Sequence, residues 1–288
     1  MVQLIDSDIK TREVLDWRGI HIFHAWMSSC SQKLRIFLNH KTVDWQRHEL
    51  NLGQSESYSD WFLGINPRGL VPVLVWDGAV HIESNDIIAL LEKAFPEPCL
   101  IPDNYAADIG RLLGQEDALH LDLRTLSFRF VYGRTGSPKT PDILARYRDG
   151  GSGTVGGEPD REKRGAEIDF YARLAREGIT DDAVRRSASK FRTAFDDLER
   201  RLATGPCLLG GQMTVFDIAW FVYATRLSLA GYPFGRLHPA VAAWLQRLGE
   251  RPAFAGEVAL PAALRDLVSV NRRQQKRAGT TLIEIASL

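Results

Sequence analysis

Between an apolar run at residues 20–23 and an apolar-periodic segment at Leu34, Ile36, Phe37 and Leu38, the chain reads Ser28-Ser29-Cys30-Ser31-Gln32-Lys33-Leu34-Arg35. Small hydroxyl and thiol side chains therefore stand where a strand gives way to a helix. A helix start presents backbone N–H groups without intrahelical partners and the positive end of a dipole, which together stabilise an anion, thiolates included. The chemistry this favours is that of a thiolate, either held by a hydroxyl donor or supplied by Cys30. As a thiolate, Cys30 suits mixed-disulfide chemistry; as a small hydrophobe it packs in the first turn. The second cysteine of a Cys-x-x-Cys oxidoreductase is absent, Lys33 occupying that position.

Two further constellations follow. Ile65-Asn66-Pro67-Arg68-Gly69-Leu70 runs into Val71-Pro72 at the entry to an apolar strand, and Glu83-Ser84-Asn85-Asp86 opens an apolar helix. Taken alone, Val71-Pro72 reads as an ordinary proline at a strand start and Ser84 as a helix cap with an acidic neighbour.

The elements that must position these residues alternate over 20–98. Strand-like runs at 20–23 and 45–50 flank a helix at 31–39, and a short helix covers 59–63. Strands at 71–76 and 80–82 are joined at Asp77-Gly78, a strong hairpin signal, and a helix at 85–95 is stopped by Pro96 and Pro98. The order is βαβαββα. From 108 onward the pattern is helical, with long helices at 109–132 and 181–202 and an apolar helix at 236–250 anchored by Trp244 and Leu245. Thr214 is placed as the N-cap of another helix, with Asp217 completing a reciprocal capping box. Residues 133–158, rich in Gly, Pro and Ser and without periodicity, read as a flexible insertion. The basic stretch 271–277 belongs to a tail at 265–288, read as a solvated or poorly ordered terminus, with a flap over the site or a partner contact as the alternative.

The 288 residues, 44% of them hydrophobic, suffice for two modest domains. Acidic and basic residues number 36 each, which leaves no net field to draw nucleic acid or an anionic membrane. No apolar run approaches the ~20 residues of a membrane span, and residues 1–19 carry charges with no apolar signal core, so a soluble, cytoplasmic chain is expected. Cys30, Cys99 and Cys207 are too few and too widely spaced for a disulfide framework or a metal site.

The succession of thiol-bearing helix start, Val-Pro strand entry, Asp-Gly hairpin and acidic-Ser helix start resembles the amino-terminal domain of the glutathione S-transferases. The Ser-Ser-Cys-Ser-x-x-x-Arg run is most similar to the zeta class, and bacterial relatives of that group include maleylacetoacetate isomerases, dehalogenases and β-etherases. The Thr214-x-x-Asp217 box and Arg251-Pro252-Ala253-Phe254 resemble features of the family's helical domain. The resemblance implies an α/β plus all-α architecture: a thioredoxin-like glutathione-binding domain over 19–102, then a helical-bundle domain over 108–264 carrying the 133–158 insertion, which typical members lack.

It also implies glutathione as cosubstrate, bound across Ser28, Ser29, Val71, Pro72, Glu83 and Ser84. Val71-Pro72 would be cis, with Val71 offering its backbone to the peptide, and Ser84 and the helix start would take the γ-glutamyl carboxylate. Glu83 would contact the γ-glutamyl end. Leu70 replaces a polar residue that many members carry. Ser28, by the zeta pattern, donates to the sulfur; Ser29 is the near alternative, and Cys30 is the third candidate, through a mixed disulfide. Trp26 and Met27 adjoin the electrophile, opposite a helix bearing His120, Arg124, Phe128 and Tyr132, in which His120 reads as an ordinary histidine.

The implied enzyme is a transferase acting on an apolar, aromatic electrophile by conjugation or β-aryl ether cleavage. A glutathione-dependent isomerase or a reductive dehalogenase using Cys30 is the first alternative, and a non-catalytic interaction protein the second. A homodimer is expected, with pairing to a paralogue as the alternative, and Asp86 is placed to reach the second subunit's glutathione.

Overall fold

A computed structural model describes residues 2–134 and 136–288. It divides into two compact units, Met1–Pro98 with Gly136–Arg176, and Cys99–Thr135 with Glu177–Leu288.

The first unit is built on strands β1 (Val2–Gln3), β2 (Ile20–His24), β3 (Gln46–Glu49), β4 (Val73–Trp76) and β5 (Ala79–Ile82), in the order β1-β5-β4-β2-β3. Only β2 and β3 run parallel; the other pairs are antiparallel. Every residue of β2 is buried, as a central strand covered on both faces requires. Helices α1 (Ser29–Lys41), α2 (Asp60–Leu63) and α3 (Ser84–Ala94) complete the expected βαβαββα order. The β4–β5 turn places Asp77 at φ 48° and Gly78 at φ 83°, the paired positive values of a tight hairpin. A Cβ on Gly78 would lie 2.1 Å from the Leu15 carbonyl oxygen, so only glycine fits.

Residues before 19 belong to this unit, which corrects the expected boundary. Val2 pairs with Ile82 on the sheet edge, and Leu4, Ile9 and Val14 join Phe23, Phe62, Ile65, Val73 and Val75 in one apolar cluster. The charges of this segment lie between these apolar anchors.

In the second unit, α4 (Ala106–Asp117) and α5 (His120–Leu126) are followed by a π-helical turn at Ser127–Val131. The single helix expected over 109–132 is thus broken at Ala118-Leu119 and widened at its end. A π turn shifts the backbone ladder, and its carbonyls find partners far along the chain: Gln275 Nε2 donates to Phe130 O at 3.4 Å and Asn271 Nδ2 to Val131 O at 3.0 Å.

From residue 136 onward, the segment expected to be a flexible insertion is ordered and belongs to the first unit. It forms α6 (Pro141–Asp149), the hairpin of β6 (Thr154–Val155) and β7 (Glu158–Pro159), and then α7 (Arg161–Glu177). Thr140 Oγ1 caps α6 by accepting from Ile143 N at 3.3 Å, with Pro141 in the first turn. Gly156 and Gly157, at φ 66° and 82°, make the hairpin turn. Their N–H groups donate to buried Asp8 at 2.7 and 3.0 Å, and Thr154 Oγ1 donates to it at 2.7 Å. Burial alone would raise the Asp8 pKa, but these donors outweigh it and hold the carboxyl below its ordinary value.

The second unit continues with α8 (Asp181–Leu202), α9 (Val215–Ala230), α10 (Phe234–Leu237), α11 (Pro239–Gly249), α12 (Pro252–Val258), α13 (Ala262–Ala278) and α14 (Leu282–Ala286). Helix α9 is buried along most of its length. It starts at the expected box, with Thr214 N donating to Asp217 Oδ2 at 3.0 Å. Asp217 Oδ1 also accepts from Leu208 N at 2.9 Å and Trp244 Nε1 at 3.2 Å. The tail is a docked helix, not a disordered end. Arg272 Nη2 donates to Ser228 O and Leu229 O, both at 3.1 Å, placing a cation on the last carbonyls of α9.

Candidate active site

Ser28 is the N-cap of α1, and its Oγ accepts from Ser31 N at 3.3 Å. A hydroxyl that accepts through oxygen keeps its proton free to donate. Ser28 and Cys30 are partly exposed, Ser29 is buried, and Ser31 is fully buried with Oγ accepting from Ala25 N at 3.3 Å. The loop leading into α1 is held by the buried Arg35, which donates to Ala25 O at 3.2 Å and Trp26 O at 2.9 Å and lies 5.1 Å from the Trp26 ring centroid. Its Nη1 is also 3.3 Å from His24 Nδ1. Burial, then the charges of Arg35 and Arg47, push the His24 pKa down to about 4, so the imidazole is neutral at pH 7.

The second part of the site lies at the start of α3. Glu83 is the N-cap, at φ 70°, a left-handed conformation that costs a non-glycine residue about 1–3 kcal/mol and persists only where surrounding contacts enforce it. Ser84 opens the helix and is buried. Lys33 Nζ donates to Asn85 Oδ1 at 2.7 Å, tying the second turn of α1 to the first turn of α3. Two helix starts, each an anion-binding terminus, are therefore side by side.

Val71–Pro72 is cis and directly precedes β4. The approach to it is fixed by Asn66, whose Nδ2 donates to Leu70 O at 2.8 Å and whose Oδ1 accepts from Arg68 N at 3.0 Å. Arg68 donates through Nη1 to Glu83 Oε1 and grips Asp160 with Nε and Nη2 at 2.6 and 2.9 Å. Lys163 Nζ is 3.2 Å from Glu83 Oε2. Tyr147 Oη donates to Arg68 O at 2.9 Å, and Arg164 Nη1 donates to Pro67 O at 3.1 Å. Tyr58 stacks on Tyr147 with centroids 4.3 Å apart and donates to Glu167 Oε1 at 2.9 Å. Burial, first, then the Glu167 charge raise the Tyr58 pKa far above its ordinary value, so the phenol stays a donor.

The structure thus connects the Ser28, Val71-Pro72 and Glu83-Ser84 motifs within one unit. The sequence reading missed Arg68, Tyr147, Asp160, Lys163 and Arg164. Two local signals were available: the Gly156-Gly157 hairpin turn, and Pro141 behind a Thr cap. Asp86 is engaged by its own chain, its Oδ2 accepting from Val2 N at 3.0 Å. His120 Nδ1 is 3.3 Å from Tyr223 Oη, and Tyr132 Oη accepts from Arg226 at 3.2 Å, both within the second unit. Among the described residues no helix is long and apolar enough to cross a membrane.

Comparison with known proteins agrees with this architecture. The glutathione S-transferase N-terminal domain profile matches residues 27–94 and the C-terminal domain profile residues 181–247. A maleylpyruvate isomerase from Ralstonia sp is 40% identical over 81 residues, 28% of this chain and 38% of the relative. The tetrachloro-p-hydroquinone reductive dehalogenase of Sphingobium chlorophenolicum is 22% identical over 84% of this chain and 96% of its own length. The crystal structure of beta-etherase LigF from Sphingobium sp. strain SYK-6 superposes with a TM-score of 0.65 at 24% identity, over 83% of this chain and 98% of that one. The chain belongs to the glutathione S-transferase superfamily, and 83 of its residues are 37% identical to a zeta-class glutathione S-transferase of Euphorbia esula, over 29% of this chain and 37% of that one. The alignments to the maleylpyruvate isomerase and to four plant glutathione S-transferases span only 37–39% of those relatives' own length.

Proposed function

We propose that this protein is a glutathione transferase that binds glutathione across Ser28, Ser29, Val71, Pro72, Glu83 and Ser84 and directs its thiolate at an apolar, aromatic electrophile. The observation that carries this reading is the pair of helix starts joined by Lys33 and Asn85 at 2.7 Å, which offers two anion sites a few residues from Ser28 and Ser84. The start of α1 with the Ser28 proton suits a thiolate. The start of α3 with Ser84 suits a carboxylate, and Glu83 supplies the counter-charge for an ammonium. A γ-glutamyl peptide with a thiol carries those three groups.

Ser28 donates to the sulfur and, with the dipole of α1, lowers a thiol pKa that is ordinarily about 8.5. The resulting C–S bond displaces a leaving group from the electrophile, a phenolate in ether cleavage, which is then protonated by water. Thiolate activation and proximity supply the barrier reduction. A second reading is favoured by the partial exposure of Cys30 in the first turn of α1 and by the dehalogenase relative that aligns along the chain: Cys30 takes part through a mixed disulfide, as an isomerase or reductive dehalogenase. The protein acts as a dimer on a small-molecule substrate, in the cytoplasm, in aromatic compound catabolism or detoxification.

Calorimetric titration with glutathione tests the reading. Binding is expected in the native chain and is expected to vanish in the Glu83→Ala, Ser84→Ala double variant with the circular dichroism unchanged, since each lost charge-assisted hydrogen bond costs about 1.5–3 kcal/mol. Undiminished affinity in the double variant would sink the assignment.

A further inference from the structure

Helix α7 and the residue before it bring an ammonium, Lys163, to Glu83 and a carboxylate, Asp160, to Arg68, and neither residue belongs to the three motifs of the site. Glu83, Arg68, Asp160 and Lys163 form one network in which two negative and two positive groups balance. The two cations on Glu83 are held very differently. Arg68 has a side chain only 10% exposed and is locked in a fork by both oxygens of Asp160, so that its remaining edge is aimed at Glu83 Oε1. Lys163 is 49% exposed and reaches Glu83 Oε2 by one contact of 3.2 Å on a flexible stem.

We propose that Asp160 is a positioning residue that fixes Glu83 through Arg68, and that Lys163 is an exchangeable counter-ion in the same subsite. This rests on glutathione being the ligand. Its γ-glutamyl end carries an ammonium and a carboxylate on one carbon. The ammonium takes Glu83 Oε2 from Lys163, and the released Lys163 follows the ligand's carboxylate. One ion pair is broken, two form, and no net charge is buried. Arg68 stays on Oε1 throughout, because Asp160 leaves its guanidinium no other orientation.

The test is calorimetry on the full chain with three ligands: glutathione, its analogue without the γ-glutamyl ammonium, and its analogue without the γ-glutamyl carboxylate. Asp160→Asn is expected to weaken glutathione and the carboxylate-free analogue by about tenfold each while leaving the ammonium-free analogue unchanged. Lys163→Gln is expected to act in opposite directions, weakening glutathione severalfold and strengthening the carboxylate-free analogue, for which Lys163 is only a competitor. A residue that merely supports the fold would weaken all three alike. Should the native chain bind glutathione while Lys163→Gln keeps all three affinities in their native ratios, the exchange is wrong and the glutathione reading stands. Should the native chain bind none of the ligands, the reading itself falls and this proposal with it. Lys163 is exposed, so that variant decides the matter even where Asp160→Asn fails to fold.

Discussion

The two halves of the site are held by opposite means. Around Ser28 the cap and the loop before it are held from nearby in the chain: Ser31 N lies three residues from Ser28, Ser31 Oγ six from Ala25, and Arg35 nine to eleven from Trp26, Ala25 and His24. Around Arg68 and Glu83 the support is distant, with Tyr147 at 79 residues, Asp160 at 92 and Arg164 at 97. A local site forms as soon as its helix does, whereas a distant one exists only when the second segment has folded onto the first. The difference teaches that the segment 136–176 is part of the scaffold that holds Arg68 and, through it, Glu83.

The strongest way to break this contrast is to remove Arg164. It is buried, it donates to the carbonyls of Pro67 and Gly150 at 3.1 Å and of Arg148 at 2.8 Å, it also reaches Tyr147 O, and its guanidinium lies 5.1 Å from the Tyr147 ring centroid. Arg164→Ala leaves the buried Pro67 and Tyr147 carbonyls without this donor and opens a cavity. The unfolding free energy from urea titration is expected to fall by about 3–5 kcal/mol. A loss below about 1 kcal/mol would mean that the segment is an accessory that unfolds by itself, and the contrast would collapse.

The same contrast explains what could be read in the sequence. Ser28, Val71-Pro72 and Glu83-Ser84 were legible because caps, strand entries and hairpin turns are written in contiguous residues. The βαβαββα order and the Thr214–Asp217 box were legible for that reason too. The role of 136–176 was not. Its glycines, which suggest looseness when counted, make one tight turn at Gly156-Gly157 against Asp8, and its charges Asp160 and Arg164 look like a solvated face until Arg68 and Pro67 are placed beside them. Composition records the residues but not their distant partners. The π turn at Ser127–Val131 was hidden for the same reason, since Asn271 and Gln275 satisfy it from the tail.

The local half is expected to be sensitive to acid, through His24. Its pKa is about 4 in the fold, against 6.5 as the ordinary value. A depressed folded pKa means that between these values the unfolded chain binds the extra proton. Stability is therefore fully present above pH 6.5 and is lost as pH falls toward 4, by about 3 kcal/mol for this one buried group. In His24→Gln that part of the loss should disappear. Urea titrations at pH 7 and pH 4 on both proteins isolate it, because Asp8 and the other carboxylates contribute equally to each. Parallel acid profiles would show that water reaches His24 and that the loop before α1 is looser than its contacts imply.

The smallest expected effect is the one that decides which side chain acts on the thiol. Ser28 Oγ accepts from Ser31 N and has its proton to give, whereas Cys30, two residues on, presents a partly exposed thiol at the same helix start. In Ser28→Ala the cap is lost, at about 1 kcal/mol of stability, and the bound glutathione thiol should titrate about one unit higher. Turnover would then fall at pH 7 and recover at alkaline pH, where the thiolate forms without help. Cys30→Ala should leave both the titration and turnover near native. The ultraviolet thiolate band of bound glutathione, followed against pH in the two variants, measures this directly. If Cys30→Ala instead abolishes turnover while Ser28→Ala spares it, the nucleophile is the protein's own sulfur. The local half of the site would then hold Cys30 as the thiolate, with Ser28 reduced to a helix cap.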